Sequence, residues 1–262
     1  MKLVVKLGGS LLVDSKKWTP LLAQLLRLQN RGHHCLLVHG GGKLLTSYLE
    51  ERGIPSRFVK GLRVTDAATR DAALMVLGGY LNKKLVVEIQ KLGGRALGIC
   101  GDAGLVRTRK IPAEQQGGVD LGYVGDVEAV DSGLLDRLSS LGLVVVMASL
   151  APDGAGEFYN VNADVLAASC AGALRAERLI FLTDVQGVLD AKGNPLQRLS
   201  REGIGDLIRE GTAAGGMLPK LQSCLMALER GVGRVCIVPG YAEGGLLAAV
   251  EPGASSIGTE IE

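Results

Sequence analysis

Short apolar runs alternate with segments of helical periodicity along the chain, and this alternation restricts the possible folds more than any other feature. The runs predicted to be buried strands lie at residues 3–7, 35–40, 95–100, 143–149, 178–183 and 234–240, with the run at 234–240 as the final strand. The longest helical pattern covers 67–92, where leucine and isoleucine recur at intervals of three and four residues. Strands that alternate with helices predict an α/β fold with a mainly parallel sheet and helices on both faces, a three-layer αβα sandwich.

The domain organisation follows from the continuity of this pattern. No linker or low-complexity segment divides the 262 residues, so we expect a single domain over 1–262. Within it we expect two lobes, an N-terminal one over about 1–174 and a C-terminal one over about 175–262. The segment 57–66 is rich in β-formers and broken by glycine, which is typical of a hairpin.

Composition excludes several classes of partner. A net charge of +2 and an aromatic content of 3% argue against nucleic acid, which needs a basic surface or stacking side chains. No apolar run reaches the ~20 residues of a membrane span, and Lys6 interrupts the apolar start of the chain, so we predict neither a span nor a signal peptide. The five cysteines are scattered without a C-x-x-C pair, which favours free thiols and a cytoplasmic location.

Two glycine clusters follow predicted strands: "KLGGSLL" at 6–12 and "VHGGGK" at 38–43. Neither has the spacing of a P-loop or of a dinucleotide-binding loop. Both nevertheless lie where a strand ends and a helix begins, where free backbone N–H groups and the helix dipole favour an anion. Tight turns without a ligand are the alternative. The pair of loops together with Lys6 favours two anion sites held close together.

Four other polar segments indicate a ligand site. "NVNAD" at 160–164 places Asn160, Asn162 and Asp164 at alternate positions, and Asn162 could instead cap the next helix. "LTDVQGVLD" at 182–190 places polar groups at the carboxyl end of a strand, where ligands bind in parallel sheets. "GTAAGGMLPK" at 211–220 is either a surface loop or a glycine-rich flap that carries Lys220. "GLRVTD" at 61–66 offers Arg63, a residue suited to carboxylate binding.

Taken in order, these segments resemble the amino-acid kinase family, and the series spans nearly the whole chain. The motifs that carry the resemblance are "KLGGSLL", "VHGGGK", "GLRVTD", "NVNADVLAA", "LTDVQGVLD", "GGMLPK" and the terminal "GTEI". Within the family, "GLRVTD" before a helix with Asn82-Lys83, together with "NVNAD", is most similar to members that phosphorylate N-acetyl-L-glutamate. The segment "GICGDAG" at 98–104 departs from the family's G-x-S-G-x-D-G, and Pro219 before Lys220 is unusual.

The resemblance implies an ATP- and Mg²⁺-dependent transfer of phosphate to the side-chain carboxylate of N-acetyl-L-glutamate, in arginine biosynthesis. By position it implies catalytic roles for Lys6, Lys220 and Asp164. It assigns acceptor binding to four residues: Gly41, Gly42, Arg63 and Asn160. It assigns nucleotide binding to Gly8, Gly9, Thr183, Asp184, Gly187 and Met217, and it names no metal ligand in the protein.

The resemblance also implies a homodimer formed through the helix 67–92, in which Gly78 and Gly79 would allow a second backbone to approach. Only Met1 and Lys2 precede the first strand, whereas arginine-inhibited relatives carry an additional N-terminal helix, so we expect no inhibition by arginine. Other acceptors remain open, namely carrier-linked aminoadipate and N-succinylglutamate, with UMP and aspartate less favoured. A non-catalytic sensor of nucleotides or amino acids is a further alternative.

Overall fold

The computed structural model describes residues 1–213, 215–251 and 257–262. Its strands are β1 (Lys2–Leu7), β2 (His34–His39), β3 (Phe58–Val59), β4 (Leu62–Arg63), β5 (Ala96–Ile99), β6 (Val106–Lys110), β7 (Val124–Val130), β8 (Val144–Ala148), β9 (Leu150–Pro152), β10 (Phe158–Val161), β11 (Arg178–Thr183), β12 (Arg198–Leu199), β13 (Arg234–Pro239) and β14 (Thr259–Ile261). Its α-helices are α1 (Trp18–Asn30), α2 (Gly42–Glu50), α3 (Ala67–Ala73), α4 (Asn82–Lys91), α5 (Ser132–Ser140), α6 (Ala163–Leu174), α7 (Arg201–Arg209), α8 (Met217–Glu229) and α9 (Gly245–Ala248). Two short 3₁₀ turns lie at Ser15–Lys17 and Ala113–Gln116.

Eight strands form the central sheet, in the order β12-β14-β13-β11-β1-β2-β8-β5. The pairs from β13 to β5 are parallel, and β14 runs antiparallel to β13. The predicted mainly parallel sheet is therefore confirmed. The expectation that 234–240 is the final strand is wrong, because Thr259–Ile261 adds a strand that pairs with Val235–Ile237. Three residues are too few for an alternating apolar pattern to identify a strand.

Helices cover both faces of this sheet, as the strand pattern predicts. In β1, Leu3, Val5 and Leu7 pack with α1 and α4, whereas Val4 packs on the opposite face with α6 and α8. Successive strand side chains point to opposite faces, so Lys6 lies on the same face as Val4. The three-layer αβα arrangement thus places Lys6 beneath α6 and α8.

A second sheet of four strands has the order β6-β7-β10-β9 and lies beside the central sheet. Its core side chains, such as Val106 and Val161, join the same apolar cluster as α6. The hairpin β3-β4 is attached to it, because Thr65 N–H donates to Leu121 O at 2.8 Å and Tyr123 N–H donates to Thr65 O at 2.7 Å. The predicted hairpin is confirmed, and the second sheet holds it over the end of β2.

The predicted helix 67–92 is present but is not uniform. It begins as α3, which Asp66 caps by accepting from Thr69 N–H, continues as a π-helix over Leu74–Leu81, and ends as α4. Packing within the chain explains why residue 78 is a glycine, because a Cβ there would lie 2.8 Å from Cys100 Sγ. In the part of the chain that the structure describes, no helix combines the length and apolar character needed to cross a bilayer.

Candidate active site

The two glycine loops lie side by side at the carboxyl edge of the sheet. Strands β1 and β2 are parallel neighbours, so the loops that follow Leu7 and His39 emerge together. A Cβ on Gly9 would lie 3.8 Å from the nitrogen of Gly42 and 3.9 Å from that of Gly41. Backbone atoms therefore line the gap between the two loops. The first N–H groups of α2, which have no partner within the helix, also lie at this gap.

Close packing explains why these positions are glycines. A Cβ on Gly8 would lie 2.7 Å from Leu182 O, which accepts a hydrogen bond from Gly8 N–H at 2.9 Å. Gly41 has φ +139°, a conformation that side chains rarely adopt, and a Cβ there would meet Leu77 and Leu81 at 2.7 Å. A side chain at Gly8 would push its loop away from β11, and one at Gly41 would push its loop away from the π-helix at Leu74–Leu81.

Two lysines share one aspartate beside this gap. Lys6 Nζ lies 2.7 Å from Asp164 Oδ1, and Lys220 Nζ lies 3.0 Å from Asp164 Oδ2. All three side chains are buried, with 8–9% of each residue exposed. Two ammonium groups and one carboxylate leave a net charge of +1, which favours an anion in the adjoining space.

Secondary structure fixes this trio. Asn162 caps α6, its side-chain oxygen accepting from Asp164 N–H at 2.8 Å and Val165 N–H at 3.3 Å, so Asp164 is held in the first turn. Lys220 lies in the first turn of α8, where Pro219 is tolerated because that position lacks an intrahelical N–H bond. Its Nζ also lies 5.1 Å from the ring centroid of Phe181. The alternative that Asn162 caps the helix is therefore confirmed.

Burial and charge act in opposite directions on the pKa values of Lys6 and Asp164. Burial lowers the pKa of Lys6, and the carboxylate of Asp164 partly offsets that effect. Burial alone would raise the pKa of Asp164, but the two neighbouring ammonium groups outweigh it and hold that pKa below its ordinary value. Asp164 is therefore ionised at neutral pH and keeps two positive charges at one point.

An open cleft of about 230 Å³ lies between the glycine loops, the hairpin and the second sheet. Its lining combines apolar side chains with a few polar and charged groups, as is usual for small-molecule sites. It is lined by Lys6, Gly9, Gly40, Gly41, Gly42, Leu45, Phe58, Gly61, Leu62, Arg63, Leu77, Val124, Ser149, Asn160, Val161, Asn162, Ala163 and Asp164. The four residues that the resemblance assigns to the acceptor thus share a cleft with Lys6 and Asp164.

Arg63 is the cation at the hairpin side of the cleft. Its guanidinium donates to Ser56 Oγ at 2.6 Å, Thr46 Oγ1 at 2.6 Å and Gly42 O at 3.0 Å, and it stacks on Phe58 at 4.6 Å. Burial lowers its pKa, but an arginine remains charged in proteins. Of its five N–H donors, three have acceptors in the described residues, so two remain for an anionic ligand.

The predicted nucleotide residues lie on the other side of β1. Thr183 ends β11 next to the Gly8 loop, and Asp184 follows on the surface, where a hydrogen bond from Ser10 lowers its pKa. Met217 begins α8. Gly187 lies in the loop that follows β11 and packs on β14, since a Cβ there would lie 2.7 Å from Thr259 Oγ1. In the flap at 211–220, Ala214 lies outside the described residues.

The structure adds residues to the site that sequence reasoning did not select. Ser149 lines the cleft, and Ser10 contacts Asp184. Ser149 follows a buried strand in the same way as Thr183, so its position at a strand end is a signal that could have identified it. Across the described ranges, no group of three or more His, Cys, Asp or Glu side chains is arranged to hold a metal ion.

Comparison with known proteins places this site in a family. Residues 1–239 match the model of the amino acid kinase family. The acetylglutamate kinase of Koribacter versatilis is 48% identical over 240 residues, which cover 91% of this chain and 90% of that protein. The acetylglutamate kinase of Acidobacterium capsulatum is 46% identical, with 92% of each covered.

Solved structures agree on the fold. The N-acetylglutamate synthase of Neisseria gonorrhoeae, solved with coenzyme A and N-acetyl-glutamate, has a TM-score of 0.87 and 27% identity. The alignment covers 99% of this chain, which spans only 59% of that synthase. The carbamate kinase of Giardia lamblia, with a TM-score of 0.73, 15% identity and 99% and 97% of the two chains covered, shares the fold.

We predict that Asp164→Asn lowers the free energy of unfolding at pH 7 by about 3–5 kcal/mol, since it leaves two buried ammonium groups without their counter-charge. Because the folded pKa of Asp164 is lowered, its contribution is complete above about pH 4 and is lost as pH falls through that folded pKa. The gap between wild type and variant in urea unfolding should therefore narrow below pH 4.

The control is Asp136→Asn, which removes a half-exposed partner of Lys2 at 2.9 Å and should cost at most about 1 kcal/mol. If Asp164→Asn costs no more than the control at pH 7, the ion pairs do not hold the site together.

Proposed function

The chain belongs to the amino acid kinase family, and from this premise we propose that it transfers the γ-phosphoryl group of ATP to the side-chain carboxylate of N-acetyl-L-glutamate. The product is an acyl phosphate, and the reaction is a step of arginine biosynthesis. Relatives with this activity in their names match at 38–48% identity over most of the chain. The observation that carries the proposal is the pair of lysines on Asp164, set beside a cleft that also holds Arg63.

The chemistry needs charge neutralisation rather than a general base. The acceptor carboxylate has a reference pKa of about 4.3, so it is ionised at neutral pH and can attack directly. Its obstacle is repulsion from the nucleotide, since two unit charges 4 Å apart repel by about 4 kcal/mol at an effective dielectric of 20. The ammonium groups of Lys6 and Lys220 and the N–H groups of the glycine loops oppose this repulsion.

We assign the two faces of the site to the two substrates. Gly41, Gly42, Arg63 and Asn160 hold the acetylated amino acid, with Arg63 on its α-carboxylate. Gly8, Gly9, Thr183, Asp184, Gly187 and Met217 hold the nucleotide. Apart from Gly8 and Gly9, this division supports an acceptor lobe over about 1–174 and a nucleotide lobe over about 175–262, with Lys6 and Lys220 contributed by different lobes.

ATP enters as its Mg²⁺ complex in this proposal. Magnesium keeps several waters and is commonly held by substrate phosphates with one or two carboxylates. Asp184 is an exposed carboxylate on the nucleotide side of the site, and we assign it to the contact with Mg²⁺. The five free cysteines, four of them buried, support a cytoplasmic location.

The test of the function is a coupled assay of ADP release with purified protein and four acceptors: N-acetylglutamate, N-succinylglutamate, aspartate and UMP. We expect the highest kcat/KM with N-acetylglutamate and detection of its acyl phosphate as a hydroxamate. Faster turnover of another acceptor, or ATP binding without turnover of any acceptor, would overturn the proposal.

We predict that Lys6→Ala and Lys220→Ala each lower kcat by ~10²-fold or more, because each removes a cation that stabilises the transferring group. Lys2→Ala, which removes a surface lysine paired with Asp136, is the control and should keep wild-type kcat. If either active-site variant keeps more than about half of the wild-type kcat, that lysine does not act on the transition state.

We predict that Arg63→Lys raises KM for N-acetylglutamate by about tenfold while KM for ATP stays nearly constant, because lysine cannot form the planar two-point contact. Arg107→Lys, at an exposed pair with Glu128, serves as the control. Equal losses for both substrates would show that the substitution disturbs the site as a whole.

We also propose a homodimer through the segment 67–92. Three large apolar side chains are exposed along it, Met75 at 56%, Tyr80 at 54% and Val87 at 47%, and they offer apolar surface that a second copy of the chain can cover. Gly78 does not support this interface, because it packs on Cys100, whereas a Cβ on Gly79 would have only one neighbour within 4 Å, Leu74 O.

We predict a solution mass of twice 27.3 kDa by light scattering at micromolar concentration. Tyr80→Glu should shift the mass toward the monomer, since it places a charge in the apolar interface. Tyr241→Glu replaces a tyrosine of similar exposure, 59%, elsewhere and should leave the dimer intact. A monomeric wild type, or equal behaviour of the two variants, contradicts the interface.

A further inference from the structure

One buried polar group near the cleft has no part in the function proposed above. His39 ends β2, directly before the second glycine loop, and its side chain is 0% exposed. Its Nδ1 lies 2.8 Å from the carbonyl oxygen of Gly40, and its Nε2 lies 3.1 Å from Nδ2 of Asn82. A buried imidazole with both nitrogens engaged has one fixed orientation.

The partners of His39 determine which nitrogen carries the proton. A carbonyl oxygen only accepts, so Nδ1 must be the N–H donor toward Gly40. Asn82 Nδ2 also lies 3.0 Å from Val146 O and 3.4 Å from Ile99 O, and both are acceptors. Its nearest neighbours are Val146 O and His39 Nε2, so its two N–H groups serve these two and Nε2 accepts. Burial lowers the pKa of His39 to about 4, which keeps the ring neutral at pH 7.

Asn82 is held as firmly as the ring. It is 0% exposed at the start of α4, and Lys83 Nζ donates to its Oδ1 at 3.3 Å. Room for its amide exists because residue 98 is a glycine: a Cβ there would lie 2.1 Å from Asn82 Oδ1. The glycine that begins "GICGDAG" therefore serves this contact.

The hydrogen bond to Gly40 has a geometric consequence one atom further along the chain. In a planar trans peptide the C=O and the following N–H point in opposite directions. Fixing the Gly40 carbonyl toward His39 turns the N–H of Gly41 away from the ring. No backbone hydrogen bond from this N–H is formed within the described residues, and the nitrogen faces the Gly9 loop, where a Cβ would lie 3.9 Å away.

We propose that His39 is a positioning residue, which Asn82 holds in its Nδ1–H form and which aims the Gly41 N–H into the cleft at the reacting ends of the two substrates. The proposal rests on the proposed function for the identity of those substrates. It gives roles to His39, Asn82 and Gly98, which the phosphoryl-transfer scheme leaves without one.

Two substitutions of His39 test its two hydrogen bonds separately, the one from Nδ1–H to Gly40 O and the one from Asn82 to Nε2. In His39→Asn the amide nitrogen takes the place of Nδ1 and keeps a donor for Gly40, whereas His39→Gln places an acceptor near Nε2 and loses that donor. We expect His39→Gln to lower kcat at least ~10-fold, a part of the ~10²–10³-fold effect of losing a transition-state donor. We expect His39→Asn to stay within about threefold of wild type, and both variants to keep KM for ATP.

A second measurement does not depend on activity. The ¹⁵N shifts of the histidine rings in the full chain report the tautomer, and His33→Gln and His34→Gln assign the signals because the chain has only three histidines. We expect an Nδ1–H signal for His39. We also expect the Gly41 amide signal to move on addition of ADP with aluminium fluoride in wild type, and to move much less in His39→Gln.

Failure of the proposed function and failure of the positioning role give different results. A wild type that does not phosphorylate N-acetylglutamate overturns the proposed function, and the tautomer of His39 and the Gly41 amide signal then decide the positioning role. An Nε2–H tautomer overturns the positioning role whatever the activity. Equal loss of kcat in His39→Asn and His39→Gln overturns it as well, because a merely structural histidine would show that pattern.

Discussion

Asp164 holds together two ammonium groups, from Lys6 and Lys220, that would repel each other if they were buried without it. One lysine comes from the first strand of the chain and the other from α8, more than two hundred residues later. Removing one partner of a buried ion pair costs several kcal/mol, so this carboxylate couples the positions of β1, α6 and α8. The glycine loops and the cleft lie next to these ion pairs. The same contact that fixes the geometry therefore leaves one net positive charge at the point where anionic substrates meet.

The chemistry follows from where the fold places its donors rather than from a reactive side chain. An ionised carboxylate acceptor needs no base, and the one histidine near the cleft is neutral and fully hydrogen-bonded. What the reaction needs is a set of donors that does not move as charge develops. The closely packed glycine loops, two lysines on one aspartate and an arginine that donates to Ser56 and Thr46 meet that need.

Much of this arrangement could be predicted from the sequence, and the exceptions have physical reasons. Apolar strands such as 178–183 are buried on both faces, so they are visible as uninterrupted runs, and the cap at Asn162 is a local rule. The strand at 259–261 is too short for a pattern. The role of Gly78 depends on Cys100, and that of Gly98 on Asn82, and such contacts depend on tertiary packing that no local pattern contains. No local pattern marks His39 either, because Asn82, which fixes its ring, is 43 residues away in the sequence.

The central claim is that Lys6, Lys220 and the N–H of Gly41 converge on the transferring phosphoryl group. A crystal structure of the protein with ADP, aluminium fluoride and N-acetylglutamate measures this directly. The account predicts that both Nζ atoms and the Gly41 nitrogen lie within about 2.7–3.1 Å of fluoride ligands, the distance expected of donors aimed at a transition state, with Asp164 still between the lysines. A bound analogue with either Nζ out of hydrogen-bonding reach would contradict it.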